Sequence, residues 1–134
     1  MFAYDRAQFD QLADDALAMA RALGASDTAV GLSESFGLSV NVRKRKVETV
    51  EQNRDKGLSL TVYLGQRRGD ATTSDFSRQA IEDTVRAAFD IARFTAEDAY
   101  AGLAEPEEFA REFPELDLFH PWELTTEQAI ELAL

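Results

Sequence analysis

GLSLTVYLGQRRGDATTS, residues 57–74, is the stretch on which the fold turns. Leu58, Leu60, Val62 and Leu64 alternate with Ser59, Thr61 and Tyr63. A period of two places the four aliphatic side chains on one side of an extended strand. Gly65-Gln66 reads as a tight turn and Arg68-Gly-Asp-Ala-Thr-Thr-Ser74 as the returning strand. A strand with one oily and one polar face belongs to an antiparallel sheet covered on one side only.

Upstream the same period persists. Thr28, Val30 and Leu32 alternate with Asp27, Ala29 and Gly31; Leu38, Val40 and Val42 alternate with polar residues; Val47 to Gln52 is rich in β-branched residues. Glu34-Ser-Phe-Gly37 and Arg54-Asp-Lys-Gly57 read as turns, so the region predicts an antiparallel meander of about five short strands. Before it, Phe9, Leu12, Ala16, Met19 and Leu23 recur at helical spacing. Asp5 with Gln8 makes a capping box and Gly24 stands at the C′ position, which predicts a helix from about Asp5 to Leu23. After it, Ser77 caps a second helix whose buried face is Ile81, Val85, Ala88, Phe89 and Ala92. The fold class is α+β: a two-layer domain with two main helices on one face of the meander. A parallel α/β sheet would need crossover helices between the strands, and none is there.

Beyond Thr95 the periodicity dissolves. EDAYAGLAEPEEFAREFPELDLFHPW, residues 97–122, holds all three prolines together with Tyr100, Phe109, Phe113, Leu116, Phe119, His120 and Trp122. Pro106 followed by two glutamates suits the start of a short helix. Thr125-Thr-Glu-Gln128 is a capping box, and Ala129, Ile130, Leu132 and Ala133 begin an apolar helix. The expected organisation is residues 1–94 as the α+β domain, 95–123 as an acidic, proline-containing connecting segment, and 124–134 as the start of a helix leading to a second domain.

The 134 residues carry a net charge of −11, unevenly spread. Met1–Phe94 holds 14 acids and 13 bases, whereas Thr95–Leu134 holds 11 acids and Arg111 alone. A basic region lies between: Arg43, Lys44, Arg45, Lys46, Arg54, Lys56, Arg67 and Arg68 face only Glu48, Glu51 and Asp55. It is the one candidate binding patch, and the acidic tail is expected to lie against it, either this chain's own or a neighbour's. Within VRKRKVETVE, residues 42–51, strand alternation would send Arg43 and Arg45 one way and Lys44 and Lys46 the other. A nucleic-acid groove needs its cations on one face, and the overall negative charge repels phosphate. The run therefore reads as a solvated hairpin tip, and no direct nucleic-acid partner is expected.

Catalytic signals are absent. One histidine and no cysteine cannot supply the usual zinc sites or a Ser-His-Asp or Cys-His arrangement. Beside Pro121 and Trp122, His120 reads as a packing or hydrogen-bonding residue. Glu105, Glu107, Glu108 and Glu112 read as a solvated face, and Gly65 and Gly69 are spaced for a hairpin rather than a phosphate loop. No catalytic or metal-ligating residue is assigned. No apolar run is long enough to span a membrane, and the start lacks a signal-peptide pattern. With no cysteine, a cytoplasmic protein without a membrane partner is expected.

GLSLTVYLGQRRGDATTSDFSRQAIEDTVRAAFDIARFT (57–95), with its Arg67-Arg-Gly-Asp-Ala-Thr-Thr-Ser-Asp75 stretch and alanine-rich helix, resembles the N-terminal region of the TldD/PmbA family. GASDTAVGLSESFGLSVNVRKRKVETVE (24–51) and LDLFHPWELTTEQAIELA (116–133) match the flanking segments, the latter being more like the PmbA (TldE) branch. The resemblance implies a non-catalytic N-terminal domain of one subunit in a heterodimeric metalloprotease that acts on unfolded or flexible peptides. It implies a TldD-like partner subunit holding the zinc and the chemistry, with no cofactor in this chain, and a label as modulator of DNA gyrase. The family's His-Glu-x-x-x-His motif has no counterpart here. The alternative is a free-standing interaction module that docks a partner through its acidic C-terminal segment. Members of the family tend to place glycine at the tip of the second hairpin, where this chain has Arg45, so a positive φ or a loosened loop is expected there.

Overall fold

The computed structural model describes residues 2–134. The elements run α1 (Arg6–Leu23), β1 (Asp27–Arg43), β2 (Lys46–Leu64), β3 (Arg67–Thr73), α2 (Arg78–Phe94) and α3 (Thr126–Ala133). The sheet order is β1-β2-β3. Backbone contacts divide the chain into two units: one runs up to Ser35 and resumes over Asp55–Glu105, the other comprises Phe36–Arg54 and Pro106–Leu134.

The first unit holds the core. α1 begins on Asp5, whose carboxylate accepts the Gln8 N–H at 2.8 Å while the Gln8 side chain accepts the Asp5 N–H at 2.9 Å. It ends on Gly24, at φ +99°, a left-handed cap that glycine adopts without steric cost. β2 and β3 pair antiparallel from Leu58↔Thr73 to Leu64↔Arg67 around the Gly65-Gln66 turn. Leu58, Leu60 and Val62 are thereby sent to one face, where they are buried with Ala16 and Ala20 of α1 and Ile81, Val85, Ala88 and Ala92 of α2. Fully burying each of the larger side chains contributes about 1.5–3 kcal/mol. Val30 and Leu32 of β1 extend the same apolar face. The Ser77 hydroxyl accepts the Ala80 N–H at 3.3 Å and caps α2, an interaction worth about 1 kcal/mol. Asp75 accepts the Ser77 N–H at 2.8 Å, which holds its carboxyl below the ordinary aspartate value.

α2 lies against β3 and α1 against α2. The approach of α2 is set by Gly69: a Cβ there would stand 2.0 Å from the Ala88 carbonyl oxygen and 2.5 Å from the Ala92 nitrogen. Gly69 is thus a notch in the sheet rather than the hairpin glycine its spacing suggested, since the turn lies at Gly65-Gln66.

Among the described residues the expected strands, about five, are three. Glu34–Gly37 and Arg54–Gly57 do not turn; each lies within an unbroken strand, of 17 and 19 residues. Neither Gly37 nor Gly57 has positive φ. Gly37 instead makes room across the ladder, because a Cβ there would meet the Asn53 Oδ1 at 2.7 Å. The α+β class with helices on one sheet face stands unchanged.

In the second unit, β1 and β2 are joined by Lys44-Arg45 alone, with φ of +52° and +61°. Two positive φ values are what a type I′ turn requires, because its twist matches that of the flanking strands. The positive φ expected at Arg45 is present, and Lys44 shares it. Pro106–Glu108 forms a turn rather than the short helix expected, and the chain then runs without helix or strand to α3. α3 starts with the predicted capping box, Thr125 Oγ1 accepting the Gln128 N–H at 3.2 Å and Gln128 Oε1 accepting the Thr125 N–H at 3.0 Å.

Candidate functional site

The eight cations of the basic region are spread over both units. At the hairpin tip, Arg43 pairs with Glu48 at 3.6 Å, and Lys44, Arg45 and Lys46 are exposed. Strand alternation stops at Arg43 and resumes at Lys46, so the turn itself, rather than the two faces of a strand, disperses these charges. Arg54 is exposed on β2.

In the first unit the cations are engaged locally. Lys56 Nζ sits 4.9 Å from the Phe76 ring centre and 5.3 Å from that of Tyr4, whose hydroxyl is 3.3 Å away. Tyr4 stacks on Phe9 at 5.8 Å and meets Phe76 edge-on at 5.1 Å. Lys56 thus serves to pin the N-terminal segment. Arg67 bridges to Glu97 at 3.3 Å and donates to the Arg93 carbonyl at 3.4 Å. The Asp98 N–H donates to the Gln66 carbonyl at 2.9 Å, so the beginning of the acidic segment is seated on the β2–β3 turn. Arg68 pairs with Asp70 at 2.9 Å; the hydrogen bond raises the guanidinium further and lowers the carboxyl of Asp70. The Thr61 hydroxyl, directly across the ladder, donates to Asp70 at 2.6 Å and adds to that lowering.

The two sheet edges differ. β3 is seven residues long, carries Arg67, Arg68 and Asp70, and packs against α2. Those are the devices by which sheets discourage further pairing. β1 from Thr28 to Ser33 has neither a charged residue nor a proline. Next to it, the Glu34 carboxylate is taken up by the N–H groups of Ala3 and Tyr4 at 2.9 and 3.2 Å. At one end of the sheet, Gly31, Leu32 and Ser33 of β1 line an open trough with Lys56 to Ser59 of β2 and with Thr72, Thr73 and Ser74. Small residues there leave room above the β1 edge for the side chains of an added strand. Scanning for charged motifs missed this edge; the signal available in the sequence was the absence of charge from 28 to 33.

His120 is exposed in the extended segment. Glu105, Glu107, Glu108 and Glu112 are exposed. Among the described residues no three His, Cys, Asp or Glu side chains converge as a metal site, and no helix is long and apolar enough to cross a membrane.

Residues 29–92 match the family model described as PmbA/TldA metallopeptidase domain 1. A protein of Escherichia coli O157:H7 named Metalloprotease PmbA is 50% identical over 117 residues, 87% of this chain and 26% of that protein. A Metalloprotease PmbA homolog of Haemophilus influenzae is 40% identical over 119 residues, covering 89% of this chain and 26% of its own. The chain thus spans about a quarter of the length of the curated relatives it matches. Among solved structures, a candidate modulator of DNA gyrase from Bacteroides thetaiotaomicron superposes with a TM-score of 0.72 at 26% identity, over 79% of this chain and 24% of that one. TldE from Thermococcus kodakarensis shares the fold, with a TM-score of 0.62 at 14% identity over 80% of this chain and 23% of that one.

Proposed function

Since the chain belongs to the PmbA/TldD metallopeptidase family and carries its first domain, we propose that it is the non-catalytic N-terminal domain of a PmbA/TldE-type subunit. In this reading a TldD-type partner, in the cytoplasm, holds the zinc and cleaves unfolded or flexible peptides. This domain contributes a binding wall. The observation that carries the reading is the uncharged edge of β1 from Thr28 to Ser33, beside an open trough in which glycine, serine and threonine predominate. An extended peptide pairing there gains main-chain hydrogen bonds that are indifferent to its sequence, which suits handling of unfolded chains.

Titration with a permanently unfolded peptide, followed by amide NMR, tests it. Shifts centred on Thr28–Ser33 are expected. No shift, or shifts confined to β3, would sink the proposal. The second reading, an interaction module acting through its acidic C-terminal part, draws on the 11 acids against one base after Phe94. It predicts salt-sensitive partner binding that is lost with that segment and leaves the β1 edge amides unmoved.

A further inference from the structure

Pro106–Trp122 forms no helix or strand, yet Phe113, Leu116, Leu118 and Trp122 are 80, 64, 79 and 72% exposed. Single exposed apolar residues are normal on a protein surface, but four large ones within ten residues are not scattered. Nor is this the composition of a solvated linker, which is poor in aromatic and aliphatic residues. Five acids, Glu107, Glu108, Glu112, Glu115 and Asp117, are interleaved with them against Arg111. Aromatic anchors separated by charges of one sign are the anatomy of an interface whose partner offers apolar pockets rimmed by the opposite charge.

The occupant is indicated by length. The match to the family's first-domain model ends at residue 92. The E. coli relative, 26% of which is matched by 117 residues of this chain, is about three and a half times as long. Its aligned region leaves out only 17 of the 134 residues, so the alignment includes Phe113 and Leu116. The exposed segment therefore lies largely inside the 50%-identical region and beyond the residues that the first-domain family model matches.

We propose that Pro106–Trp122 is a docking strap. Its apolar side chains are buried against the polypeptide that follows the first domain in chains of the relatives' length, on a surface of apolar pockets rimmed by lysine and arginine. This inference is independent of the peptide-binding edge on β1.

Hydrogen exchange read by mass spectrometry, on the 134-residue chain and on the chain at the relatives' length, tests it. Exchange in 106–122 should slow by about tenfold or more in the longer chain. Leu118→Ser with Trp122→Ser should restore fast exchange there while α1, β2 and α2 keep their protection. Equal rates in the two chains would overturn the proposal. Protection that grows with the concentration of the 134-residue chain would make a second copy the occupant. Protection that appears only when a TldD-type subunit is added would put the docking surface on that subunit. Either result overturns it as well.

Discussion

Substituting Gly69 by alanine tests the central contact of the fold. The added Cβ would stand 2.0 Å from the Ala88 carbonyl oxygen, where ordinary contact begins at 3.4 Å. β3 and α2 must separate by about 1.4 Å along that direction, and both colliding groups are backbone, so no rotamer change relieves them. Overpacking of a well-packed core costs typically 1–3 kcal/mol. With no side chain able to yield, and with Val85, Ala88 and Ala92 lifted together, about 3 kcal/mol is expected. At about 4 °C per kcal/mol for a chain of this size, Tm should fall by about 12 °C. The matched control is Gly31→Ala, whose Cβ meets the Ser59 Oγ at 2.9 Å. That hydroxyl can rotate away, so the cost should stay below about 1 kcal/mol. Thermal and urea unfolding followed by circular dichroism measure both. If Gly69→Ala melts within about 3 °C of the parent, or no lower than Gly31→Ala, α2 does not sit on β3 as described.

Two further substitutions probe the turn and the wet face. Replacing Lys44-Arg45 by Asn-Gly relieves two left-handed residues that disfavour it and should raise stability by about 1–2 kcal/mol in urea unfolding; a loss would mean the I′ geometry is not the strained element. Asp70 has a folded-state pKa below its ordinary value, because Arg68 and then Thr61 hydrogen-bond its carboxylate. A depressed pKa contributes stability that is complete above the ordinary aspartate range and is lost as pH falls through the folded value. The urea midpoint of Asp70→Asn should therefore lie below the parent's at neutral pH and converge on it in acid. Since Asp70 is half exposed the gap should be small, and a constant gap across pH would refute the assignment.

Length, periodicity and capping residues determined much of this molecule by themselves. The helix starts at Asp5, Ser77 and Thr125 were legible because a capping side chain bonds within three residues of itself, with no help from the rest of the fold. The aliphatic alternation of Leu58, Leu60, Val62 and Leu64 named the buried face of β2 because pleating is local. Tertiary structure decided what glycine and charge were for. Gly37 and Gly57 have the composition of turns, yet whether a glycine bends the chain or makes room for a neighbour depends on which strand lies opposite. Gly69 is a notch only because Ala88 and Ala92 of α2 settle over it, a contact across about 20 residues of chain that no window of local sequence contains. The cations of the basic region likewise acquired their partners, Glu48, Asp70, Glu97 and the rings of Tyr4 and Phe76, from the fold. The candidate edge on β1 became visible only once the sheet order left that strand unpaired on one side. Patterns that a residue satisfies with its near neighbours can be read from the chain; those that need a distant segment wait for the structure.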